Sequence, residues 1–297
     1  MPIITIFGAN GTQGSSVLEM VLANGKFTPR AVSRSLESPG SKALIARGIE
    51  VAVANLFDKE SVVNAMRGSE AVYAVTVSST DPEGKGELVQ GKNLVDAAKE
   101  VGVQFFIWSS MLNATKLSRG LYKHIYHYDN KAEIEDYLRL SGVPHAVVFM
   151  GWFVENLWTL DSLQKTETGY TLPIPKFAPE DVQEAVWIAH DLGQAAVALL
   201  THYSDPSKGV LGKTYPVVSW RFTYPELAKE IAAAIKKEVT FTPPETSGLL
   251  ELDEMFLLQA KIGYGGTPVP NPELVALGVK FASLKEFIEA EIVPRFA

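Results

Sequence analysis

Gly8-Ala9-Asn10-Gly11-Thr12-Gln13-Gly14 follows directly on the β-branched run Ile3-Ile4-Thr5-Ile6-Phe7, and this junction decides the fold. A short apolar run that breaks into glycines and then into the amphipathic segment Thr12–Asn24 reads as strand, tight turn and helix. Gly8 would permit the turn, Gly11 would let backbone approach a pyrophosphate, and Gly14 would let helix and strand pack closely. The amides opening the helix, with its positive dipole end, would face the phosphates. The glycines are spaced by two residues each, unlike the G-x-G-x-x-G of many NAD enzymes.

Outward from this turn the alternation continues. Strands are expected at Arg30–Ser33, Glu50–Val53, Ala71–Thr76, Gln104–Trp108 and His145–Phe149. Helices are expected at Ser41–Arg47, Asp58–Met66, Gly86–Val101 and Tyr126–Ser141. This rhythm predicts an α/β, Rossmann-type doubly wound parallel sheet, with a ligand beyond the carboxyl ends of its strands. Residues 1–150 are assigned to that dinucleotide-binding domain. Residues 151–297, where prolines cluster, are assigned to a smaller, mainly helical lobe facing substrate or partner. Helices are expected there at Asp191–Tyr203, Tyr224–Lys236, Leu249–Ile262 and Leu284–Glu291, with Asp191 read as an N-cap. Thr223…Glu226 and Ser283…Glu286 read as capping boxes. Short strands near Tyr215–Val218 and Val239–Phe241 could join the sheet or form a small one.

Composition narrows the function. The 297 residues are 46% hydrophobic and 21% charged, with a net charge of −7 and no basic run, which argues against direct nucleic-acid binding. Zero cysteines exclude disulfides, thiolate metal sites and cysteine nucleophiles. His124, His145, His190 and His202 share no metal-ligand spacing, so no metal is expected. The first residues lack a signal-peptide pattern and the apolar run Ala146–Val154 is too short to span a bilayer, so a cytoplasmic protein is expected, with nuclear entry left open.

The second strand ends Ser33-Arg34 with no acid at its tip to meet a ribose 2′-hydroxyl. Arg34 offers a guanidinium fork suited to a 2′-phosphate, which favours NADP(H); the alternative is a solvated surface arginine. Glu37 nearby could blunt the preference.

The chain resembles the NmrA-like family of atypical short-chain dehydrogenase/reductases. The matching pieces are Gly8–Gly14, Ser33-Arg34, Asn55-Leu56, Val75-Thr76-Val77, Gln90–Ala98, Trp108-Ser109-Ser110, His127…Lys131 and Gly151–Asn156. The resemblance implies that Gly8, Ala9, Asn10, Gly11, Thr12 and Gln13 cradle the pyrophosphate and that Asn55 and Leu56 flank adenine. It implies that Thr76 and Val77 pass beneath the cofactor, that Lys131 reaches the nicotinamide ribose, and that Phe153, Val154, Glu155 and Asn156 cover the nicotinamide end. The family holds both reductases and redox-sensing regulators.

Standard members of the superfamily carry Tyr-x-x-x-Lys on one helix face. Here the pair is His127-Tyr128-Asp129-Asn130-Lys131. Three readings are open: His127 as general acid, a hydroxyl from Tyr122, Tyr126 or Tyr128, or a His127 that only orients ligands or packs. Ser109 and Ser110, at the end of the fifth strand, could polarise a carbonyl or merely satisfy backbone groups. The apolar residues of 149–158 could wall a hydrophobic substrate site or fill core; Glu155 and Asn156 would need partners if buried. The expected function is NADPH-dependent reduction of a small hydrophobic carbonyl, quinone or activated C=C compound. The alternative is a catalytically silent NADP(H) sensor acting on a regulatory protein partner.

Overall fold

Phe105-Phe106-Ile107-Trp108 shows why the sheet is central: all four side chains are fully buried. Phe105 and Ile107 join one hydrophobic cluster and Phe106 and Trp108 the other, so the period-2 pleat feeds a core on each face. The computed structural model describes residues 1–78, 85–266 and 268–297. The first half runs β1 (Ile3–Ile6), α1 (Thr12–Asn24), β2 (Thr28–Ser33), α2 (Pro39–Ala46), β3 (Glu50–Val53), α3 (Lys59–Met66), β4 (Ala71–Ala74), α4 (Lys85–Val101), β5 (Phe105–Ser110), α5 (Ala114–Leu117), α6 (Tyr126–Ser141) and β6 (His145–Met150).

The second half continues with β7 (Trp152–Phe153), α7 (Asn156–Thr159), β8 (Gln164–Lys165), β9 (Gly169–Leu172), β10 (Val182–Val186), α8 (Ile188–His202), β11 (Thr214–Val217), β12 (Trp220–Thr223), α9 (Tyr224–Ile235), β13 (Glu238–Phe241), α10 (Leu250–Lys261) and α11 (Pro272–Ala276). The main sheet has seven strands in the order β11-β6-β5-β4-β1-β2-β3, all parallel. β1 lies mid-sheet between β4 and β2, so the glycine turn leaves the sheet near its centre, at the switch point where doubly wound folds take ligands.

Two contributions come from beyond residue 150. β11 forms the edge of the main sheet beside β6. α8 packs on α1, where Ser16 Oγ donates to Ile188 O at 2.6 Å and accepts from Gly193 N at 3.0 Å. The remainder builds two three-stranded sheets, β12-β10-β7 and β13-β9-β8, around a third cluster with Trp152, Phe177, Tyr224 and Phe287. The smaller lobe is therefore helices plus short sheets.

Two local expectations are corrected. Asp191 is not an N-cap: α8 starts three residues earlier, with Trp187 at its N-cap. Asp191 is fully buried within the first turn, accepting from Ser219 Oγ and from Ala282 N at 3.0 Å. The helix expected to run through Glu291 changes after Phe287 into a π-helical turn, Ile288–Ile292. Both capping boxes are present, at Thr223/Glu226 and Ser283/Glu286.

Candidate functional site

Gly8 has φ +70°, in the left-handed region that glycine enters without a Cβ penalty. A Cβ on Gly14 would stand 2.2 Å from Gly8 O and 2.8 Å from Ala9 N, so the start of α1 lies directly on the turn's backbone. Gly11 is the N-cap of α1 and no side chain among the described residues caps that terminus. Its first amides thus retain donor capacity and the positive dipole end. This cradle fits a diphosphate. Gln13 anchors it: its Oε1 accepts from Tyr73 Oη at 2.8 Å and from Ser109 Oγ at 2.7 Å. Asn10 packs against Gly40 at the start of α2, and Ala9 is buried in the core.

Arg34 is exposed just past β2. Glu37, the acid that could have weakened a phosphate preference, pairs with Lys42 at 2.8 Å. Ser33 Oγ is tied into the loop with Ser35 and Ser41. Across the cleft floor, Asn55 is exposed and its Oδ1 accepts from Phe57 N at 3.1 Å, while Leu56 O accepts from Asn93 Nδ2 at 2.8 Å. β4 ends at Ala74, two residues before the expected Thr76, and Gln90 of α4 holds Val77 beyond it. The Gln90 amide accepts from Val77 N and donates to Val77 O, both at 3.1 Å.

Lys131 lies in a buried network that sequence reading missed. Its Nζ donates to Glu87 Oε1, which also accepts from Thr76 Oγ1 at 2.7 Å. Glu87 is fully buried, and its Oε2 has no hydrogen-bond partner among the described residues. An acid in the first turn of α4 reads locally as a dipole partner, so the sequence held no sign of this role. The Lys131 carbonyl accepts from Trp108 Nε1 at 3.2 Å and Ser110 Oγ at 3.3 Å, which fixes α6 over β5.

The two serines are each 1% exposed, with hydroxyls donating to Gln13 (Ser109) and to Lys131 O (Ser110). They hold the frame of the site together. Among the tyrosines, Tyr128 turns away: it is buried, its Oη accepts from Gln259 Nε2 at 2.9 Å, and burial pushes its phenol up from the usual tyrosine range. His127 stands one helical turn before Lys131, about a quarter exposed, with Nδ1 2.5 Å from Glu251 Oε1. Hydrogen bonding by His127 holds Glu251 below the usual carboxylate range, against a smaller opposing effect of burial.

Of the segment expected at the nicotinamide end, Val154 is core and Phe153 and Asn156 are half-buried. Glu155 finds one partner in its burial: Ala189 N donates to its Oε1 at 2.8 Å, while Oε2 has no hydrogen-bond partner among the described residues, so Glu155 serves the start of α8 in place of Asp191. Met150, Trp152 and Leu157 are core as well. Phe149 instead lines a cavity of about 680 Å³ between α6 and β11, whose other walls include Met111, Leu112 and Pro216.

Burial pushes the Glu155 carboxyl up to about 7, against the opposing pull of the Ala189 amide. Between the unfolded value of 4.5 and 7, the folded chain keeps a proton that the unfolded chain releases, so stability falls as pH rises through that window. Glu155→Gln should therefore stabilise the protein by about 1–3 kcal/mol above pH 7 and be near neutral at pH 4.5. Thermal melts at the two pH values check this; an equal effect at both would mean that the carboxylate is hydrated.

The NmrA-like family model matches residues 2–288. The chain belongs to the NmrA-like family. A relative within it, the NmrA-like family domain-containing oxidoreductase hkm9 of Aspergillus hancockii, is 29% identical over 306 residues, covering 95% of this chain and 90% of that one. Among solved structures, NmrA, a negative transcriptional regulator in complex with NADP, superposes with a TM-score of 0.78 at 20% identity, covering 98% and 95% of the two chains. The NADPH-dependent quinone oxidoreductase QOR2 of Escherichia coli, complexed with NADPH, gives 0.75 at 23% identity, covering 96% and 98%. The NmrA-like fold thus accounts for both halves of the chain. Among its described residues no helix is long and apolar enough to cross a membrane.

Proposed function

We propose that this chain binds NADP(H) and uses NADPH to reduce a small hydrophobic carbonyl, quinone or activated C=C compound. The observation that carries the reading is the placement of His127 and Lys131 one turn apart on α6, at the carboxyl end of β4 and β5. When bound, the dihydronicotinamide supplies a hydride to the substrate. The residues do the rest. The α1 amides and the Gly8–Gly14 turn receive the diphosphate, and Arg34 the 2′-phosphate. Lys131, steadied by Glu87, holds positive charge where the nicotinamide ribose would lie. His127 supplies a proton to the developing oxyanion. Support comes from the oxidoreductase names of the relatives and from the NADPH-dependent reductase among the structural neighbours.

The test is NADPH oxidation over background with a panel of quinones, ketones and enones. Turnover with any of them supports the reading; tight NADPH binding without any turnover overturns it. For the cofactor, Arg34→Ala should lower NADPH affinity roughly 10- to 100-fold and leave NADH nearly unchanged, as expected for one lost charge-assisted contact. Equal losses for both nucleotides would show that Arg34 does not meet the 2′-phosphate.

A second reading has its own observation. Ser109 and Ser110 spend their hydroxyls inside the frame, and the solved NADP complex of NmrA is that of a transcriptional regulator. On that reading, occupancy by NADP(H) changes affinity for a protein partner. Partner capture with and without NADPH discriminates it: capture indifferent to nucleotide removes the mechanism.

A further inference from the structure

α10 brings two carboxylates, Glu251 and Glu254, against two histidines at the start of α6. Glu254 Oε1 lies 2.6 Å from His124 Nδ1, and its Oε2 accepts from His124 N at 2.8 Å. Glu251 Oε1 faces both Nδ1 and the backbone N–H of His127, at 2.5 and 3.3 Å. Docking of α10 does not depend on the Glu251 contact alone: Leu258 packs with Ile125 and Tyr128, and Gln259 donates to Tyr128 Oη. The two pairs also differ in their surroundings. Lys131, one turn along α6, lowers the Glu251 carboxyl further by its charge, whereas at Glu254 the lowering comes from His124 and the neighbouring backbone.

Resting on the reductase reading, we infer that Glu251 is the positioning residue for His127: it fixes the imidazole with Nδ1–H toward α10 and leaves Nε2 as the atom that delivers the substrate's proton. An ionised carboxylate only accepts, so the shared hydrogen bond requires the proton on Nδ1. His127 Nε2 makes no hydrogen bond to any described residue, and the side chain is 23% exposed, so this nitrogen can reach both substrate and solvent. Tyr128 lies edge-on to the ring at 4.8 Å, and Lys131 stands one turn further along the same helix. In the step, hydride brings two electrons and a hydrogen to the carbonyl carbon and the C=O π pair moves to oxygen. That oxygen takes the Nε2 proton. The imidazolium becomes the neutral Nδ1–H form, still bonded to Glu251, and a solvent proton later restores it.

Nitrogen-15 NMR of the full chain, with His127 assigned, tests this without any substrate. At pH 9 the wild-type ring should carry its single proton on Nδ1, and in Glu251→Ala the proton should shift to Nε2. A wild-type ring protonated on Nε2 overturns the inference. With a reducible substrate, Glu251→Ala should lower kcat by roughly 100-fold or more, the scale of positioned acid catalysis, with the NADPH Kd unchanged. Glu254→Ala, which loosens the same helix, should lower the melting temperature and leave kcat near wild type. Equal kcat losses in the two variants would reduce Glu251 to a docking residue and overturn the inference. If His127→Gln keeps full kcat, the acid reading of His127 fails; if His127→Gln is inactive while Glu251→Ala is not, only the role of Glu251 fails.

Discussion

Lys131→Met is expected to destabilise the fold by about 3–5 kcal/mol, because it leaves Glu87 as a buried charge without its cation. Glu87 is fully buried, its Oε2 has no partner among the described residues, and Thr76 Oγ1 would be the remaining donor to Oε1. The thioether fills the volume of the lysine stem, so the loss is one of charge and hydrogen bonding, not of packing. Adding Glu87→Gln to Lys131→Met should recover most of the loss, since no uncompensated charge remains. Urea denaturation of the four proteins in this cycle measures the coupling directly. A single-variant loss below about 1 kcal/mol would mean that water reaches the pair and that it behaves as a surface bridge.

Gly14→Ala is the second large effect. The new methyl would stand 2.2 Å from Gly8 O and 2.5 Å from Gly8 C, both backbone atoms that cannot rotate away. Opening the turn enough to admit it should cost about 3 kcal/mol, the upper end of ordinary overpacking, and should abolish nucleotide binding. Gly11→Ala is the informative contrast. Its Cβ would meet Gly8 O at 3.3 Å, a fit that needs only a small shift, and its φ of −95° suits any residue. Stability should hold while nucleotide affinity falls, because the methyl would enter the face offered to the phosphates. Denaturation midpoints beside nucleotide titrations separate the two roles; equal stability losses in both variants would contradict the assignment.

What the sequence made legible was what repeats locally. Strand β3 and helices α1 and α6 fall on their expected boundaries because glycines, caps and hydrophobic period all act within a few residues. The start of α8 is hidden in the sequence because Val186-Trp187-Ile188-Ala189 is a continuous apolar run, in which the end of a strand and the start of a helix look alike. Its cap is supplied by Glu155, 34 residues away, which no local pattern announces. The candidate site divides the same way. The glycine turn, Arg34, His127 and Lys131 could be named from spacing and chemistry. Glu87 and Glu251 could not: they come 44 residues before Lys131 and 124 after His127, and only the packing of α4 and α10 brings them to the site. Gln90 and Asn93 lie in a stretch whose family likeness was visible, yet their task of pinning Val77 and Leu56 emerges only from the fold.

The central claim is a diphosphate seated on the uncapped start of α1, with its 2′-phosphorylated ribose at Arg34. Isothermal titration calorimetry of the purified protein against NADPH and NADH tests it most directly. One saturable site per chain, tighter for NADPH by roughly 10- to 100-fold, is the predicted result. No heat and no saturation with either nucleotide would contradict it.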